Sequence, residues 1–520
     1  MTGTKKCGGY LTVYMSLTLA VLLSLCMTMI EGARRSAMRM QAEVITDTAM
    51  RSVLAEYHRE LMRQYNIFAV DSSYGTSESG IGQTSMHFKK YMDLNYNPDV
   101  SMPWLDYRDF IGAYPESAQI EAVSYLTDGS GAVFRACAVD AIKDDLGLAM
   151  AEEVIGWATS TELTAADQMD VQGELGSGNA SVALAAAGER SRRESEIEAK
   201  QSEYEEACKA AEEAGEEAPS APELPSLPEQ YNSPVSGIAG SVNSGILGYV
   251  VDDPENLSRR QIDLDSILSG RAAAGDISSG SIESGSSDDG IADEALDKAL
   301  FGEYLMRYMG RYGATDDSDA MWYQIEYLIA GKENDTENLN SVAMRILGIR
   351  AGLDFIYLET DASKKADAEL LAEGICAVCL IEDMAPALTH VILLAWALAE
   401  GRYDTRVLMS GGRIPFIKDS STWHSDMWNA LSGVDPGPFT GTENGLEYKD
   451  YLRIFMFMTD TDKLTVRAMD IIESDIRLSS GNEHFRMDAC METIECSALI
   501  KSPFGSSVNI RRRLGYRAQL

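Results

Sequence analysis

The longest feature of the hydropathy pattern is an uncharged run from Tyr10 to Ile30. At a rise of about 1.5 Å per residue, a helix of this length just spans a hydrocarbon core of about 30 Å. The pattern therefore predicts a short N-terminal tail (1–9) and a transmembrane helix (10–30), with nearly all of the chain on the far side of the membrane. The anchor positions along this helix are Tyr10, Leu17, Leu22 and Ile30.

A cleaved secretory signal is the main alternative to an anchor, because Lys5 and Lys6 supply its basic start. Such a signal ends in small residues, whereas Glu31 follows the apolar run here. Basic residues flank the run on both sides, so their count does not decide the orientation. The short tail and the long acidic body favour a single-pass protein of the cell membrane, with a cytoplasmic N-terminus and an extracellular body.

Apolar residues continue at helical spacing beyond the anchor, with no Gly or Pro after Gly32 to interrupt them. The pattern predicts one nearly continuous helix from about Tyr10 to Tyr65, whose membrane-proximal extension (31–66) carries a single apolar stripe. The protein's own body or a neighbouring copy must cover this stripe, and a strand folding straight back favours the body. The helix-packing stripe is represented by Met38, Ile45, Val53 and Leu61.

An α/β segment (67–167) follows the long helix. Asn66–Asp71 and Ile120–Leu126 are rich in β-prone residues and end in turn residues, which predicts two strands. A helix is predicted over Ala132–Met150.

The composition changes between residues 168 and 300. A charged helical stretch ends where four prolines follow within ten residues, and Gly and Ser dominate Gly275–Gly290. Too few apolar residues are present there to offset the entropy of ordering. We therefore expect a low-complexity, flexible insertion over 168–300, within which Ile246–Asp252 is a candidate strand or docking peptide.

Helical periodicity returns over 301–478 and predicts a helical domain. Several of its helices are apolar on more than one face, so they should pack as a bundle. In the C-terminal strand segment (479–520), Glu495–Pro503 alternates like a strand and is predicted to pair with the early strands. The predicted helices are Glu303–Tyr312, Met321–Leu328, Leu339–Glu359, Lys365–Asp383, Ala385–Glu400 and Tyr448–Arg477.

These elements together predict an α+β, mainly helical fold: a long N-terminal membrane-spanning helix, a small antiparallel sheet, a C-terminal helical bundle and a flexible central insertion. Composition adds that 45% of the 520 residues are hydrophobic and 24% charged, which is typical of a globular chain. The formal net charge of −37 argues against a nucleic-acid partner, since such proteins gather Lys and Arg to neutralise phosphates. The lipid bilayer remains the one partner that the sequence itself indicates.

Cysteine and histidine provide little evidence of chemistry. Cys376 and Cys379 form a C-x-x-C motif without a second pair at metal spacing, so buried small residues are the favoured interpretation over a redox or zinc site. Whether Cys490 and Cys496 form a disulfide stays open. The five histidines are scattered, and His390 lies on an apolar helix, where a core position is expected. No metal, cofactor or catalytic residue is predicted.

Three carboxylates, Glu326, Glu400 and Asp404, lie in helical segments. They would form a catalytic pair if they converged, but helix caps and helix-surface charges are the favoured interpretation. A structure discriminates between these, because a pocket that gathers them beside a histidine would favour a surface hydrolase.

Four short motifs carry a family resemblance: the anchor between Gly8-Gly9 and Glu31-Gly32-Ala33-Arg34, Tyr125–Asp128, Ile325–Lys332, and Trp396 through Glu400 and Asp404 to Gly411. Together they resemble an uncharacterised family of membrane-anchored proteins of Gram-positive anaerobes, often encoded beside tight-adherence (Tad, Flp-type) pilus genes. The anchor alone is similar to the N-terminus of TadE-like and TadG-like pseudopilins. The resemblance implies a minor-pilin or assembly-accessory role and brings no catalytic residues.

One departure from the pseudopilin pattern bears on processing. Such pilins are cut after a glycine and carry Glu at the fifth mature position, where counting from Gly9 places Tyr14. We therefore expect an uncleaved membrane resident that supports an assembly together with other pilus or envelope proteins. The alternatives are a surface hydrolase that uses a carboxylate pair, and an extracellular sensor or adhesin.

Overall fold

The computed structural model describes residues 8–97, 111–143, 147–214, 217–243, 245–276, 278–282, 291–434, 437 and 441–517. The described chain is mostly helical and contains a small antiparallel sheet, which confirms the α+β, mainly helical class. The strands are β1 (Val70–Asp71), β2 (Tyr114–Tyr125), β3 (Cys490–Lys501) and β4 (Ser507–Gly515).

The helices are, in chain order, α1 (Gly8–Leu54), α2 (Arg59–Tyr65), α3 (Ile81–Tyr96), α4 (Asp128–Lys143), α5 (Gly147–Ala158), α6 (Thr161–Asp167), α7 (Val171–Ala214), α8 (Ser236–Asn243), α9 (Leu247–Val250), α10 (Leu268–Ala274), α11 (Ile291–Tyr308), α12 (Gln324–Ala330), α13 (Asp335–Thr360), α14 (Ala362–Cys379), α15 (Ala385–Met409), α16 (Met427–Ser432), α17 (Tyr448–Met458) and α18 (Thr461–Leu478).

The chain forms two compact units that interleave along the sequence. Unit 1 takes its residues from Met1–Asp145, Asp263–Gly290 and Thr465–Leu520, and unit 2 from Leu146–Ile262 and Ile291–Leu464. Each unit therefore combines segments that lie far apart in the sequence. Hydrophobic periodicity identifies elements, but contacts between distant parts of the chain decide which elements share a core.

Strand β3 is the centre of the sheet in unit 1. It pairs antiparallel with β2 along one edge, while β1 and β4 pair with successive parts of its other edge. The predicted pairing of the C-terminal strand with the early strands is thus confirmed. The predicted strand Asn66–Asp71 shortens to β1, because only Val70 and Asp71 meet partners on β3. The second predicted strand instead begins earlier, at Tyr114.

Helix α1 ends at Leu54, so the prediction of one helix reaching Tyr65 is wrong. The backbone N–H of His58 donates to the carbonyl of Ala69, and the ring Nδ1 of His58 accepts from the N–H of Leu61. His58 is therefore the N-cap of α2, which turns the chain away from the α1 axis.

The apolar stripe of the long helix is covered by the protein's own body. Met38, Ile45 and Val53 on α1 and Leu61 on α2 are all buried. The three α1 residues share a core with α3 and with the inner face of the sheet. A helix that is bare along 10–30 thus becomes a core helix from Met38 onward.

The segment predicted as a flexible insertion begins with a long helix. Its first part forms α7, which buries Val171, Leu175, Val182 and Ala186. A Cβ atom at Gly178 would lie 2.7 Å from Val391, so α7 closely approaches α15. Low apolar content was a poor guide here, because a few apolar residues on one face suffice to dock a helix.

Other boundaries moved where local turns interrupt a periodic pattern. The predicted helix Tyr448–Arg477 divides into α17 and α18. The predicted helix Ala132–Met150 overlaps α4 and α5, and its residues 144–146 lie outside the described residues. Ile246–Asp252 contains the short helix α9 in place of a strand. Helix α15 runs nine residues beyond Glu400, to Met409, and is buried over most of its length at the centre of unit 2.

Candidate functional site

The close crossing of α13 and α15 in unit 2 creates a buried charge cluster. A Cβ atom at Gly401 would lie 2.7 Å from the backbone nitrogen of Ala351, so glycine is what allows the two backbones to approach. Each helix brings a charged pair at i, i+4 spacing to this contact, which places both members on one face. The pairs are Arg350 with Asp354, and Glu400 with Asp404.

Arg350 is the central cation of the cluster. Its Nε atom donates to Oδ2 of Asp404 over 2.9 Å, and its Nη2 atom donates to Oδ1 of Asp354 over 3.1 Å. Its Nη1 atom donates to the carbonyl of Phe416 over 2.9 Å. The Arg350 side chain is completely buried, so these bonds replace its hydration.

Lys418 is the second cation and comes from the loop after α15. Its Nζ atom donates to Oδ1 of Asp404 over 2.6 Å and also to Oε1 of Glu400. The carboxylate of Glu400 further accepts the backbone N–H groups of His424 and Ser425, over 3.0 and 2.9 Å. The cluster therefore fixes the loop 418–425 against α15.

Burial and the neighbouring cations act in opposite directions on the pKa values of Asp354 and Glu400. Burial raises the pKa of Asp354 above its ordinary value, against the attraction of Lys418 and Arg350. Its Oδ2 atom is buried without a hydrogen-bond partner. Burial also opposes ionisation of Glu400, but Lys418 and the hydrogen bonds prevail and hold its pKa well below the usual range.

Glu400, Asp404 and His424 have ligand atoms within 4.8 Å of one another, the spacing of a metal-binding triad. The donor set does not fit a metal, because Nζ of Lys418 already lies against both carboxylates and supplies the cation. Both carboxylates are also completely buried, which corrects their interpretation as caps or surface charges. Buried and neutralised in this way, they lie out of reach of a substrate.

Glu326, the third carboxylate, lies apart from the cluster in unit 2. Its Oε1 atom accepts from the hydroxyl of Tyr448 over 2.6 Å and from the N–H of Tyr312 over 3.0 Å. Burial is the main cause that raises the pKa of Glu326 to about 7. The three predicted carboxylates therefore do not form one catalytic group.

An aromatic cleft lies on the solvent side of the loop that the cluster holds. The indole N–H groups of Trp396 and Trp423 both donate to Ser425, whose own N–H is bound by Glu400. The cleft has a volume of about 730 Å³, which is the size of a small-molecule site. Trp428 and Leu370 are its most exposed apolar residues, at 65% and 72%. Its polar rim consists of Ser363, Lys364, Asp367, Ser420 and Asp426.

Sequence reasoning missed the cluster cations and the cleft. A usable signal was present, since an i, i+4 charged pair inside each of two apolar helices indicates that the pairs are buried and need partners. Lys418 and Trp423 carry no such signal, because they lie in a loop without periodicity.

The cysteine and histidine predictions have separate outcomes. Cys490 and Cys496 are free and lie six residues apart on β3, about 20 Å along the strand, which excludes a disulfide between them. Cys376 and Cys379 are buried and free on α14, as the favoured interpretation had it. His390 is not a core residue, because nearly half of its side chain is exposed beside Glu174.

Two helices in the described residues are long and apolar enough to cross a membrane, Gly9–Leu54 and Glu382–Met409. Burial separates them, since the most apolar window of the second is 72% buried inside the protein and that of the first is not buried at all. The predicted anchor positions are all exposed, at 83% for Tyr10, 64% for Leu17 and 56% for both Leu22 and Ile30. The chain thus begins with a long apolar helix of the kind found in membrane anchors and signal sequences.

A family model described as a family of unknown function, DUF5702, matches residues 225–502, more than half of the chain. The chain belongs to this family. The DUF5702 match includes every residue of the charge cluster and the cleft, whereas α1 and β4 lie outside it. No curated protein and no solved structure matches the chain.

Proposed function

We propose that this DUF5702 protein is a single-pass, membrane-anchored, extracytoplasmic component of a Tad/Flp-type pilus or a related envelope assembly, with a structural or accessory role and no enzymatic one. The observation that carries the proposal is the division of α1. Its first part exposes Tyr10–Ile30, and its continuation buries Met38, Ile45 and Val53 in the core of unit 1. One unbroken helix thus joins a bilayer-length apolar surface rigidly to a folded body.

Water is a poor solvent for the first part of α1. An uncharged helix with every large side chain more than half exposed would aggregate or find an apolar cover. A bilayer is the cover that matches its length.

Support for the pilus assignment comes from the N-terminal resemblance to TadE-like and TadG-like pseudopilins. Tyr14 stands where those proteins carry their processing glutamate, which favours a protein that stays in the membrane and supports the assembly. A non-enzymatic role agrees with the burial of Glu400 and Asp404 and with their neutralisation by Arg350 and Lys418.

Crosslinking in the native membrane, followed by identification of the attached proteins, tests the assignment. We expect pilus or envelope assembly proteins on the body, and a mature protein whose N-terminus precedes Tyr10. A chain released by alkaline extraction of the membrane would overturn the anchor. An anchored chain that captures no assembly component would overturn the assembly role alone.

An extracellular sensor or adhesin is a second candidate function, favoured by the aromatic cleft beside Trp423 and Trp428. Its test is titration of the full-length protein in detergent with soluble envelope fragments, followed by tryptophan fluorescence. A saturable change that Trp428→Ala abolishes would support this role, and a change that only Trp157→Phe, outside the cleft lining, abolishes would contradict it.

A further inference from the structure

The β3–β4 hairpin ends in a short turn that exposes an aromatic side chain. The N–H of Ser502 donates to the carbonyl of Ser506 over 2.9 Å, and the N–H of Gly505 donates to the carbonyl of Ser502 over 3.1 Å. Gly505 has φ +83°, a conformation that L side chains rarely adopt. The turn directs Phe504 outward, where 63% of its surface is exposed.

This turn lies against α1 just after the apolar run ends. The hydroxyl of Ser506 donates to Oε1 of Glu31 over 3.1 Å, and the guanidinium carbon of Arg34 lies 3.5 Å from the ring centroid of Phe504. Arg34 also donates from Nη2 to the carbonyl of Ile111 over 3.4 Å. Three contacts thus hold the hairpin tip and the segment before β2 to one turn of α1.

The rise per residue of α1 gives the distance of these contacts from the end of the apolar run. Glu31 and Arg34 follow Ile30 by about 1.5 and 6 Å along the α1 axis. The polar layer outside the hydrocarbon core is about 5–8 Å thick on each side of a bilayer. If Tyr10–Ile30 spans the core, the hairpin tip therefore lies among the lipid headgroups.

The side chains of the tip suit that environment. Phe504 and Tyr114, which are 63% and 46% exposed, present aromatic rings, and rings gain free energy at the boundary between headgroups and acyl chains. Arg35 pairs with Glu31 and Lys501 pairs with Glu116. The guanidinium of Arg34 lies over the ring of Phe504, within reach of lipid phosphates. These three cations and two carboxylates leave one positive charge in excess, whereas the chain as a whole carries −37.

We propose that the hairpin turn Ser502–Ser506 is a second membrane contact, which places Phe504 in the lipid headgroup layer and fixes the tilt of unit 1 on the bilayer. This inference rests on the proposed anchoring of the chain through Tyr10–Ile30. A single helix leaves a body free to tilt about its point of exit, whereas a second contact beside that exit restrains it. The proposed partner of the exposed Phe504 ring is lipid. Contact of this ring with a neighbouring protein instead would contradict the proposal.

Leu478 is a matched control for Phe504, since it belongs to the same unit and is also 63% exposed. It ends α18, four residues before Asn482, whose Oδ1 atom lies 3.0 Å from Nε2 of His58. His58 lies beyond the end of α1, and Leu54 is about 36 Å along the helix from Ile30. Leu478 is therefore far from the bilayer.

The test places the photo-crosslinking residue p-benzoylphenylalanine at Phe504, Leu478 or Leu22 of the full chain, and identifies adducts by mass after illumination of native membranes. We expect lipid adducts at Phe504 and Leu22 and none at Leu478. If Leu22 gives lipid adducts but Phe504 gives only protein adducts or no adducts, the hairpin contact is overturned and the anchor is not. Loss of lipid adducts at both positions would overturn the anchor as well.

Discussion

The Nζ atom of Lys418 donates a hydrogen bond to Oδ1 of Asp404 over 2.6 Å, and both side chains are completely buried. Taking these charges out of water is costly, and their attraction offsets the cost only because Arg350 and Glu400 complete the network. The network positions the loop that carries Trp423, and this loop forms one wall of the aromatic cleft.

Replacing Lys418 should severely destabilise unit 2. Lys418→Met leaves Glu400 and Asp404 buried with one cation fewer, and removal of one partner from a buried ion pair costs about 3–5 kcal/mol. Urea unfolding of the full chain in detergent measures the loss. Lys365→Met is the control, because its pair with Glu359 is exposed to solvent and should contribute little. Equal losses in the two variants would contradict a buried network.

Glu326 should make stability decrease as the pH rises. Its folded-state pKa of about 7 lies above its ordinary value of 4.5, so between these values the folded state holds a proton that the unfolded state releases. The contribution is fully present below pH 4.5 and is lost as the pH passes 7. Glu326→Gln cannot titrate and keeps an acceptor for Tyr448, so its stability should change less between about pH 5 and about pH 8.

Unfolding midpoints across this pH range measure the effect of Glu326→Gln. Glu337→Gln, at an exposed carboxylate of α13, is the control and should keep the wild-type slope. An unchanged slope in Glu326→Gln would show that Glu326 does not carry the pH dependence.

A methyl group at Gly401 should separate α13 from α15. The added Cβ of Gly401→Ala would meet the Ala351 backbone at 2.7 Å, and overpacking of this kind costs about 1–3 kcal/mol. At Gly374, on α14, nothing lies within 4 Å of an added Cβ, so Gly374→Ala should stabilise by about 0.5–1 kcal/mol through helix propensity. Opposite shifts of the thermal midpoint are expected, and shifts of the same sign would refute the close crossing.

Arg271 should be required to hold the segment 263–276 on unit 1. Its guanidinium donates to Glu473 over 2.8 Å and to Asp488 over 2.7 Å, and both carboxylates are completely buried. Arg271→Met should make this segment sensitive to limited proteolysis, which mass mapping of the fragments detects. Arg192→Met, at an exposed arginine on α7, should leave the segment protected. Cleavage there in both variants, or in neither, would be evidence against the role of Arg271.

Periodicity predicted the helices of residues 301–478 and the pairing of β3 with β2, because each such element repeats its apolar residues along one face. It failed over 168–300, where α7 docks with few apolar residues and Arg271 holds a polar segment through charge. Composition measures the average of a segment, whereas docking depends on a few well-placed side chains.

The candidate site was predictable only in part. Glu400 and Asp404 were singled out by their helical context, but one helix does not show what lies opposite its face. Arg350 comes from a helix about fifty residues earlier, and Lys418 from a loop without a repeating pattern. The position of Phe504 next to the apolar run is visible only in the structure, because its partner Arg34 lies near the opposite end of the sequence.

The sequence by itself determined the features that act over a few residues: the bilayer-length apolar run Tyr10–Ile30, the stripe through Met38, Ile45 and Val53, and the alternation that makes β3 a strand. Only the tertiary structure decided which distant groups meet. In the folded protein the sheet covers the apolar stripe, and Glu400 and Asp404 are buried against Arg350 and Lys418. The hairpin tip lies against α1 directly after the apolar run. The physical reason is that hydrophobic period and helix rise are local, whereas burial and charge compensation depend on contacts between residues far apart in the chain.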